Sequence, residues 1–407
     1  MSEEKLVPKL RFSGFDDEWN EVTLNDVATF SKGKGISKND ISNYGIECVR
    51  YGELYTKYNE MIYNIESKTD LDKNELKLSE KNDILIPCSG ETAIDLATAS
   101  CIQKDQVAIG GDITVIKTNQ YAPFITYYLN QKKTEIAKYA QGVSIVHLYP
   151  KDFKVMNIRI PSINEQKMII RLLEEITKKE QLLESKYQQY QEFKKYLMQQ
   201  IFTQKLRFDD NCQYKTKQVK DFLIESKIEG IDDINKRLTV KLNLKGITVR
   251  ESKTIEIEGA TKQFIRKTGQ FIYGKQNLHK GAFGIIPKEL DGYLTSSDIP
   301  SFDFKGGIEP KWFYYYFARK SFYEKLENLS TGTGSKRISP KEFLNIKIIV
   351  PEFKEQHKIV CLLEKFDEKI NGISNQIVQM NMFKKSLLQQ MFVVQLILSL
   401  LQNKKHI

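Results

Sequence analysis

Loops rich in glycine, hydroxyl and long polar side chains recur along this 407-residue chain. Hydroxyls and backbone amides reach phosphate oxygens, and lysine, arginine, asparagine and glutamine read base edges, so such loops are candidate contacts to nucleic acid. In the first part of the chain the candidates are Lys32, Lys34, Arg50, Tyr51, Ser89, Thr92, Ser144 and His147. In the second part they are Lys245, Lys275, Gln276, Asn277, Lys280, Ser296, Thr331, Thr333, Ser335, Lys336 and Arg337. The alternative for each residue is an ordinary solvated turn.

Two of these loops are stronger candidates than the others. Residues 141–147 and 331–337 precede equivalent strand-like runs, and the second loop contains Gly-Ser-Lys-Arg. We therefore expect Lys336 and Arg337 to contact phosphates.

The charge fits a polyanionic partner but is unevenly distributed. The formal net charge is +10 and the pI is about 9.0, values compatible with nucleic-acid binding. Residues 1–160 contain 20 basic and 23 acidic residues, whereas residues 211–350 contain 25 and 16. The first segment therefore needs a local basic face if it is to bind DNA.

Signals for catalysis or metal binding are weak. Residues 269–276 have the spacing of a phosphate-binding loop, but Gln276 replaces the hydroxyl residue that would hold Mg²⁺. An acid-x-Lys triplet at Glu75 is unremarkable in a chain with 28% charged residues. The sequence contains no methyl-donor loop, and its four histidines lack metal-ligand spacing. We expect no catalytic residue, metal site or cofactor in this chain.

Cysteine usage and the first residues indicate the compartment. Five cysteines without a Cys-x-x-Cys motif are typical of a reducing environment. The first residues lack the apolar core of a signal peptide. The apolar run near residues 392–401 is shorter than the roughly 20 residues that span a bilayer. It reads as an extension of the preceding helix or as a ragged terminus.

A long segment of the chain occurs twice. Residues 142–202 align without gaps on residues 332–392, with 21 identities in 61 positions. The identities include Pro-x-x-x-Glu-Gln at Pro161 and at Pro351, and a Lys-Lys pair at Lys194 and at Lys384. The chain is therefore a tandem duplication of one unit.

The repeated segment has the apolar period of a coiled coil. Its seam positions, spaced by seven, are Ile169, Ile176, Leu183, Tyr190, Leu197, Ile359, Phe366, Ile373, Met380 and Leu387. The heptads predict two helices of about 40 residues, or about 60 Å each, that pair with one another. Ser162 and Glu165 have capping-box spacing at the start of the first helix.

Strand-like runs end at Pro161 and Pro351, directly before these helices. The segments ahead of the helices share an opening Lys-Leu-Arg-Phe at Lys9 and Lys205, a loose match at Asp26 and Asp221, and a helix-like run at Pro123 and Pro310. Between these features the two copies have little sequence in common.

We therefore predict an α+β pseudo-twofold tandem repeat, in which two α/β domains alternate with two long helices that pair as an antiparallel coiled coil. The domains are residues 1–160 and 206–350, each about 150 residues long and large enough for its own core. The helical regions are residues 161–205 and 351–393, and residues 394–407 form a C-terminal tail.

The pattern of two similar helices that alternate with two divergent globular segments resembles the specificity subunit of type I restriction-modification enzymes. The likeness rests on Pro161 to Gln166 with Lys194 to Phe202, and on Pro351 to Gln356 with Lys384 to Phe392. Pro8 to Phe12 and Trp19 also look like that family's opening. The likeness extends over about residues 6–393.

The resemblance implies a DNA-binding subunit without catalytic activity of its own, working in the bacterial cytoplasm. Two target-recognition domains would each read half of a bipartite asymmetric site, and the helices would act as a ruler between the halves. Half-sites one DNA turn apart are about 34 Å from each other, a distance that a 60 Å helix bridges. The implied partners are double-stranded DNA, two methyltransferase subunits and two restriction/translocase subunits. S-adenosylmethionine, ATP and Mg²⁺ would belong to those partners.

Two other interpretations stay open at this point. A coiled-coil scaffold without DNA specificity would show no salt-dependent DNA binding. An orphan DNA-binding regulator would bind DNA but would support no methylation when partner subunits are supplied.

Overall fold

The computed structural model describes residues 5–142, 146–251, 259, 261–330, 336–392 and 394–397. Its two long helices are Ile163–Phe202 and Phe353–Phe392. The chain forms two compact units. The first unit comprises Met1–Leu182 and Gln376–Ile407, and the second comprises Leu183–Asn375. Each unit thus contains one globular domain and half of each long helix.

Among its described residues, the first unit builds two main sheets and three smaller strand pairs. One sheet has the strand order Ala28–Lys32, Ile113–Thr118, Ile84–Pro87, Ser100–Ile102, Met61–Ile62. The other has the order Ala108–Ile109, Ile46–Val49, Ser67–Thr69, Ile41–Ser42. The strand pairs are Asn20–Thr23 with Asn157–Ile160, Ser89–Gly90 with Val146–His147, and Lys5–Pro8 with Val394–Ile397. The α-helices are Leu24–Val27, Tyr51–Thr56, Ala93–Leu96, Ala122–Gln131, Lys133–Ile136 and Pro150–Phe153. Short 3₁₀ turns are Lys38–Asp40, Lys73–Glu75 and Ala137–Tyr139.

The described part of the second unit follows a related plan. One sheet has the order Leu223–Ser226, Ser301–Phe304, Phe271–Tyr273, Phe283–Ile285. Another has the order Glu229–Gly230, Gln263–Ile265, Leu294–Ser296. The strand pairs are Tyr214–Gln218 with Lys347–Pro351 and Leu238–Val240 with Ile247–Val249. The α-helices are Pro310–Phe317, Lys320–Tyr323 and Pro340–Leu344. The 3₁₀ turns are Val219–Asp221, Ile234–Lys236, Leu278–Lys280, Lys288–Leu290 and Glu324–Leu329. The predicted α+β tandem-repeat fold is confirmed.

Both domains contain the same three antiparallel strands, although their sequences there share little. In the first, Ile113–Thr118 lies between Ala28–Lys32 and Ile84–Pro87. In the second, Ser301–Phe304 lies between Leu223–Ser226 and Phe271–Tyr273. Burial of apolar side chains is sufficient to keep such a core, so its backbone survives the loss of sequence identity.

The repeated glutamine joins each domain to its long helix. Gln166 accepts a hydrogen bond from the Tyr121 N–H at 3.0 Å and donates one to the Pro161 carbonyl at 2.9 Å. Gln356 makes the equivalent bonds to the Glu309 N–H, at 2.8 Å, and to the Pro351 carbonyl, at 3.0 Å. These contacts explain why proline and glutamine are retained together.

The same bonds fix the alignment of the two buried domain helices. Tyr121 and Glu309 are the residues before Ala122–Gln131 and Pro310–Phe317, so Ala122 is equivalent to Pro310. The sequence alignment of Pro123 with Pro310 was therefore off by one residue. The match of Asp26 with Asp221 is explained by geometry, because each carboxylate accepts the backbone N–H three residues earlier.

The expected capping box at Ser162 is wrong. The Glu165 N–H does donate to Ser162 Oγ at 3.4 Å, but both carboxylate oxygens of Glu165 accept from Arg11, at 2.8 and 2.7 Å. In the second copy, Glu355 Oε1 accepts from the Phe208 N–H at 2.8 Å. The repeated glutamate therefore holds the Lys-Leu-Arg-Phe segment, and a tertiary ion pair displaces the local cap.

Each unit pairs one half of the first long helix with the opposite half of the second. Glu180 binds Lys384 in the first unit, with 3.0 Å between Oε2 and Nζ. In the second unit Lys194 binds Asp367, and Tyr190 packs against Phe366 with ring centroids 6.3 Å apart. The ten predicted seam residues are all buried or half-buried. This pairing of opposite halves is the arrangement of the predicted antiparallel coiled coil.

The C-terminal tail differs from expectation. The second long helix ends at Phe392, and Val394–Ile397 forms a strand antiparallel to Lys5–Pro8. The expectation that this run extends the helix is wrong. None of the helices in the described part of the chain is long and apolar enough to cross a membrane.

Candidate nucleic-acid interface

The predicted loops of the first unit meet at one end of its larger sheet. Lys32 is the last residue of its strand, opposite Thr114. The next two N–H groups, of Gly33 and Lys34, donate to Ile113 and Ile109 at 2.9 Å. A Cβ on Gly33 would lie 1.9 Å from the Gly110 carbonyl oxygen, so only glycine permits this approach. We call this region, around Lys32, Cys88, Asp112 and Leu148, the first sheet end.

Arg50 is held at the same end by a buried carboxylate. The Gly110 N–H donates to the Val49 carbonyl at 2.9 Å, which places Arg50 beside Gly110. Burial acts to raise the pKa of Glu53, but hydrogen bonds from Ser67, the Arg50 N–H and Lys57 together lower it. An ionised Glu53 therefore fixes the segment that carries Arg50 and the exposed Tyr51.

An aromatic and basic cluster completes the first sheet end. His147 stacks on Tyr149 with ring centroids 5.9 Å apart and an interplanar angle of 8°. The Nζ atoms of Lys32 and Lys151 lie 5.4 and 5.8 Å from the Tyr149 centroid. Ser89 Oγ lies 3.1 Å from His147 Nδ1. The structure thus supplies the local basic face that the net charge of the first domain lacks.

The Thr92 hydroxyl has a structural role. Its Oγ1 caps Ala93–Leu96, accepting the Asp95 N–H at 3.2 Å and donating to the Asp95 carboxylate at 2.6 Å. Ser89 is likewise buried against His147. These two hydroxyls hold residues 89–95 in place. Lys32 and Lys34, by contrast, are exposed at the first sheet end.

The second unit repeats the backbone frame of the first sheet end. In the first unit the Cys88 N–H donates to Asp112 O at 2.6 Å, and the Leu148 N–H donates to Cys88 O at 3.0 Å. In the second, the Lys275 N–H donates to Asp298 O, and the Ile338 N–H donates to Lys275 O, both at 2.9 Å. We call the region around Lys227, Lys275, Asp298 and Ile338 the second sheet end.

The second sheet end is more basic. Arg337, which corresponds to His147, binds Asp298 at 3.1 Å, and Lys336 binds Glu327 at 2.7 Å. Both pairs are exposed and weak. Ser296 Oγ accepts the Asp298 N–H at 3.4 Å, and Gln276 is exposed beside Lys275.

Lys245 and Lys280 lie on an adjoining ridge of the second unit. The Asn243 N–H donates to Lys280 O at 2.9 Å, and the Asn277 carbonyl accepts from the Lys280 N–H at the same distance. Burial lowers the pKa of His279, and Lys280 and Lys336 act in the same direction while Glu327 raises it. The ridge therefore concentrates positive charge next to the sheet end.

Four predicted contacts, Ser144, Thr331, Thr333 and Ser335, lie outside the described residues. Contact of the other candidates with DNA stays a prediction. Residues 269–276 do not form a phosphate cradle, because Phe271–Tyr273 is a buried strand. Within the described ranges no cluster of His, Cys, Asp or Glu has metal-ligand geometry.

Sequence reasoning missed Tyr149, Lys151, Lys227, Arg266 and Lys341, which also lie at the sheet ends. A signal existed for Lys151 and Lys341, which are among the identities of the repeat.

Comparison with known proteins places this architecture. The chain aligns over 401 residues, at 21% identity, with the type I restriction enzyme MjaVIII specificity subunit of Methanocaldococcus jannaschii, covering 91% of each. The S subunit of a type I restriction-modification system from M. genitalium has the same fold, with a TM-score of 0.61 and 15% identity, over 96% of this chain and 100% of that one. A second solved structure, described as the structural basis of complex assembly and conformational transition of the type I R-M system, superposes with a TM-score of 0.53 at 12% identity. The match covers 94% of this chain and 99% of that one.

The family model for the type I restriction modification DNA specificity domain matches twice, over residues 16–192 and 213–380. Each match spans one globular domain and most of the following long helix. Together they cover most of the chain, which therefore belongs to the type I restriction-modification DNA specificity family.

Proposed function

We propose that this chain is the specificity subunit of a type I restriction-modification enzyme, with each globular domain reading one half of a bipartite, asymmetric DNA site. The observation that carries this proposal is the repeated backbone frame at the two sheet ends, Cys88 with Leu148 and Lys275 with Ile338. One frame bearing two sets of side chains suits two different half-sequences on one duplex.

The residues at each end have the chemistry for groove and backbone contacts. Lysine and arginine neutralise phosphates and reach the acceptors of guanine, and glutamine and asparagine pair with adenine. The first end offers Lys32, Arg50 and His147, and the second offers Lys275, Gln276 and Arg337. Exposed and half-buried positions on a rigid sheet edge give such side chains a fixed register.

The long helices fix the spacing between the half-sites and dock the partner subunits. Phe193 and Phe383 occupy the same position in the two copies and are 51% and 52% exposed. A large apolar side chain kept exposed in both copies fits a contact made twice with the same partner. Two methyltransferase subunits, one on each copy, would satisfy this repetition, and two restriction/translocase subunits would complete the enzyme.

Chemical activity resides in those partners. S-adenosylmethionine bound to the methyltransferase subunits supplies the methyl group for adenine N6, and ATP with Mg²⁺ serves the restriction subunits. This chain contributes DNA sequence recognition and geometry. Purified alone, it should show neither methyl transfer, ATP hydrolysis nor DNA cleavage, and turnover by the isolated chain would contradict the assignment.

The decisive experiment is a genome-wide map of methylated adenines in cells with and without this gene. We expect one asymmetric bipartite motif to lose its methylation when the gene is deleted. A scaffold without DNA specificity predicts no change. An orphan regulator predicts DNA binding by the purified protein without restored methylation when partner subunits are added.

The spacing function has a separate test. Deletion of one heptad from each helix, residues 180–186 and 370–376, keeps both seams in register and shortens each helix by about 10 Å. Methylation should move to the same half-sequences separated by about three fewer base pairs. An active complex with the original spacer would show that the helices do not set this distance.

A further inference from the structure

A cavity of about 490 Å³ opens at the second sheet end. Basic side chains dominate its lining: Arg266, Lys227, Lys275 and Lys341 contribute to it, together with the ring of Phe264. Among the described residues that line it, Glu225 is the acidic one, and its carboxylate binds Lys227 at 3.0 Å. The lining therefore carries a local excess of three positive charges.

Arg266 is the deepest of these groups, with 1% of its surface exposed. Its guanidinium donates to Thr295 Oγ1 at 2.5 Å, Ser301 Oγ at 2.8 Å, Ile299 O at 3.0 Å and Ser226 O at 3.3 Å. These acceptors are all neutral, whereas a buried guanidinium is ordinarily paired with an anion.

The arginine keeps its charge in this position. Burial lowers the pKa of Arg266 to about 10, which still leaves the guanidinium protonated at neutral pH. A permanent buried cation facing a basic cavity raises the affinity of the cavity for an anion, because fields are stronger away from bulk water.

In the first unit the residues equivalent to this lining include an aromatic ring. Lys32 and Lys227 are both the fifth residue counted from the start of equivalent strands, and Lys151 and Lys341 are identical residues of the repeat. In the first unit Lys32 and Lys151 flank the ring of Tyr149. Ser339 stands at the position of Tyr149 and lines the cavity.

We propose that this cavity binds one phosphate of the DNA backbone, with Lys227, Lys275 and Lys341 at its rim and Arg266 at its base. The proposal deepens the proposed function and rests on it, because the ligand is DNA bound at the second sheet end. Ammonium groups and a guanidinium match the charge and the acceptor oxygens of a phosphate diester. The equivalent lysines of the first unit stand over an aromatic ring instead.

The test uses the full-length protein and a duplex selected from a randomised library by binding to it. Because Arg266 also anchors residues 295–301, the rim lysines carry the experiment. Lys341→Gln and Lys227→Gln should each lower the slope of log affinity against log salt by about one. Lys347→Gln is the matched control, since Lys347 is an exposed residue of the same domain that does not line the cavity.

A second measurement locates the phosphate. Duplexes carrying one neutral methylphosphonate at successive positions should reveal, among the contacted phosphates, one position where wild-type affinity falls about tenfold, the size of a charge-assisted hydrogen bond, and where this fall depends on the rim lysines. The Lys341→Gln variant should lose nothing further there. Ser339→Tyr, which rebuilds the ring of the first unit, should abolish the same positional effect.

The outcomes separate the two proposals. If wild type binds the selected duplex and the rim variants match Lys347→Gln in slope and methylphosphonate profile, the phosphate site is refuted while DNA recognition stands. If no duplex is selected above background, DNA recognition fails and the phosphate site fails with it.

Discussion

The two sheet ends share a backbone frame and differ in most of the side chains mounted on it. At the first, Cys88 is buried and the ring of His147 stacks on that of Tyr149. At the second, the same positions hold Lys275, Arg337 and Ser339, which leave a basic cavity. The lysines at positions 32 and 151 recur at 227 and 341. The duplication thus kept the frame and two cationic positions, while the side chains suited to reading bases changed.

The helices teach the converse lesson. There the identical residues are those that make equivalent internal bonds, as Gln166 and Gln356 do at each domain junction. Lys194 and Lys384 are also identical, yet they reach acids one helical turn apart in the repeat, Asp367 and Glu180. Phe193 and Phe383 stay half exposed in both copies, although the ring of Phe193 also packs against Phe366, which is why we assign their exposed faces to partner docking.

Exchange of one domain interior is the strongest test of whether the two domains recognise DNA independently. Residues 24–118 of the first domain can be replaced by the interior of another family member, which leaves the strand pair Asn20–Thr23 and Asn157–Ile160 and the Gln166 junction intact. We expect one half of the methylated motif to change while the other half and the spacer stay. A simultaneous change in both halves would show that the domains do not read independently.

The sequence predicted the fold well because its signals were local or duplicated. Heptads from Ile169 and Ile359 predicted the helices, and Pro161 and Pro351 marked the ends of the preceding strands. The capping box failed because Glu165 binds Arg11, a residue 154 positions away that no local pattern reveals.

The candidate sites were predicted only in outline for the same reason. Lys32 and Ser89 were expected in loops but lie in the strands Ala28–Lys32 and Ser89–Gly90, and their convergence with Arg50 depends on strand pairing across about 80 residues. No sequence pattern marks Arg266 as a candidate DNA contact, because it is a lone arginine in a strand-rich region. Its role emerges only when Thr295, Ser301 and the cavity surround it.

The junction glutamines offer a test of equivalence between the units. Gln166→Ala and Gln356→Ala each remove bonds from a buried side chain and should destabilise their own unit by about 3 kcal/mol. Hydrogen exchange should rise in Ala122–Gln131 for the first variant and in Pro310–Phe317 for the second. Gln→Glu variants keep the acceptor but place an oxygen where the amide donates to the Pro161 or Pro351 carbonyl, so they should lose at least as much. Equal effects of either variant on both helices would indicate a single cooperative structure.

Lys384 and Lys194, which form ion pairs between the two long helices, should contribute differently to stability. Lys384→Met leaves Glu180 almost buried without its partner, and we expect a loss of about 2 kcal/mol. Lys194→Met leaves Asp367, whose side chain is 40% exposed and still accepts from Tyr315, so we expect about 1 kcal/mol. Urea denaturation of each variant measures the difference. Restoration of stability by Glu180→Gln in the Lys384→Met background would confirm that an unpaired charge causes the loss.

The smallest expected effect separates the equivalent positions 147 and 337. Arg337 is a permanent cation whose bond to Asp298 is exposed, so DNA phosphate competes with that bond at little cost. Arg337→Ala should lower the salt slope of DNA affinity by about one, and Lys336→Ala in addition should bring the total to about two. His147 is instead held by its stack on Tyr149 and by the contact of its Nδ1 with Ser89 Oγ at 3.1 Å. His147→Ala should therefore leave the salt slope of DNA affinity unchanged. Equal slopes for the His147 and Arg337 variants would show that the second sheet end owes none of its phosphate contacts to Arg337.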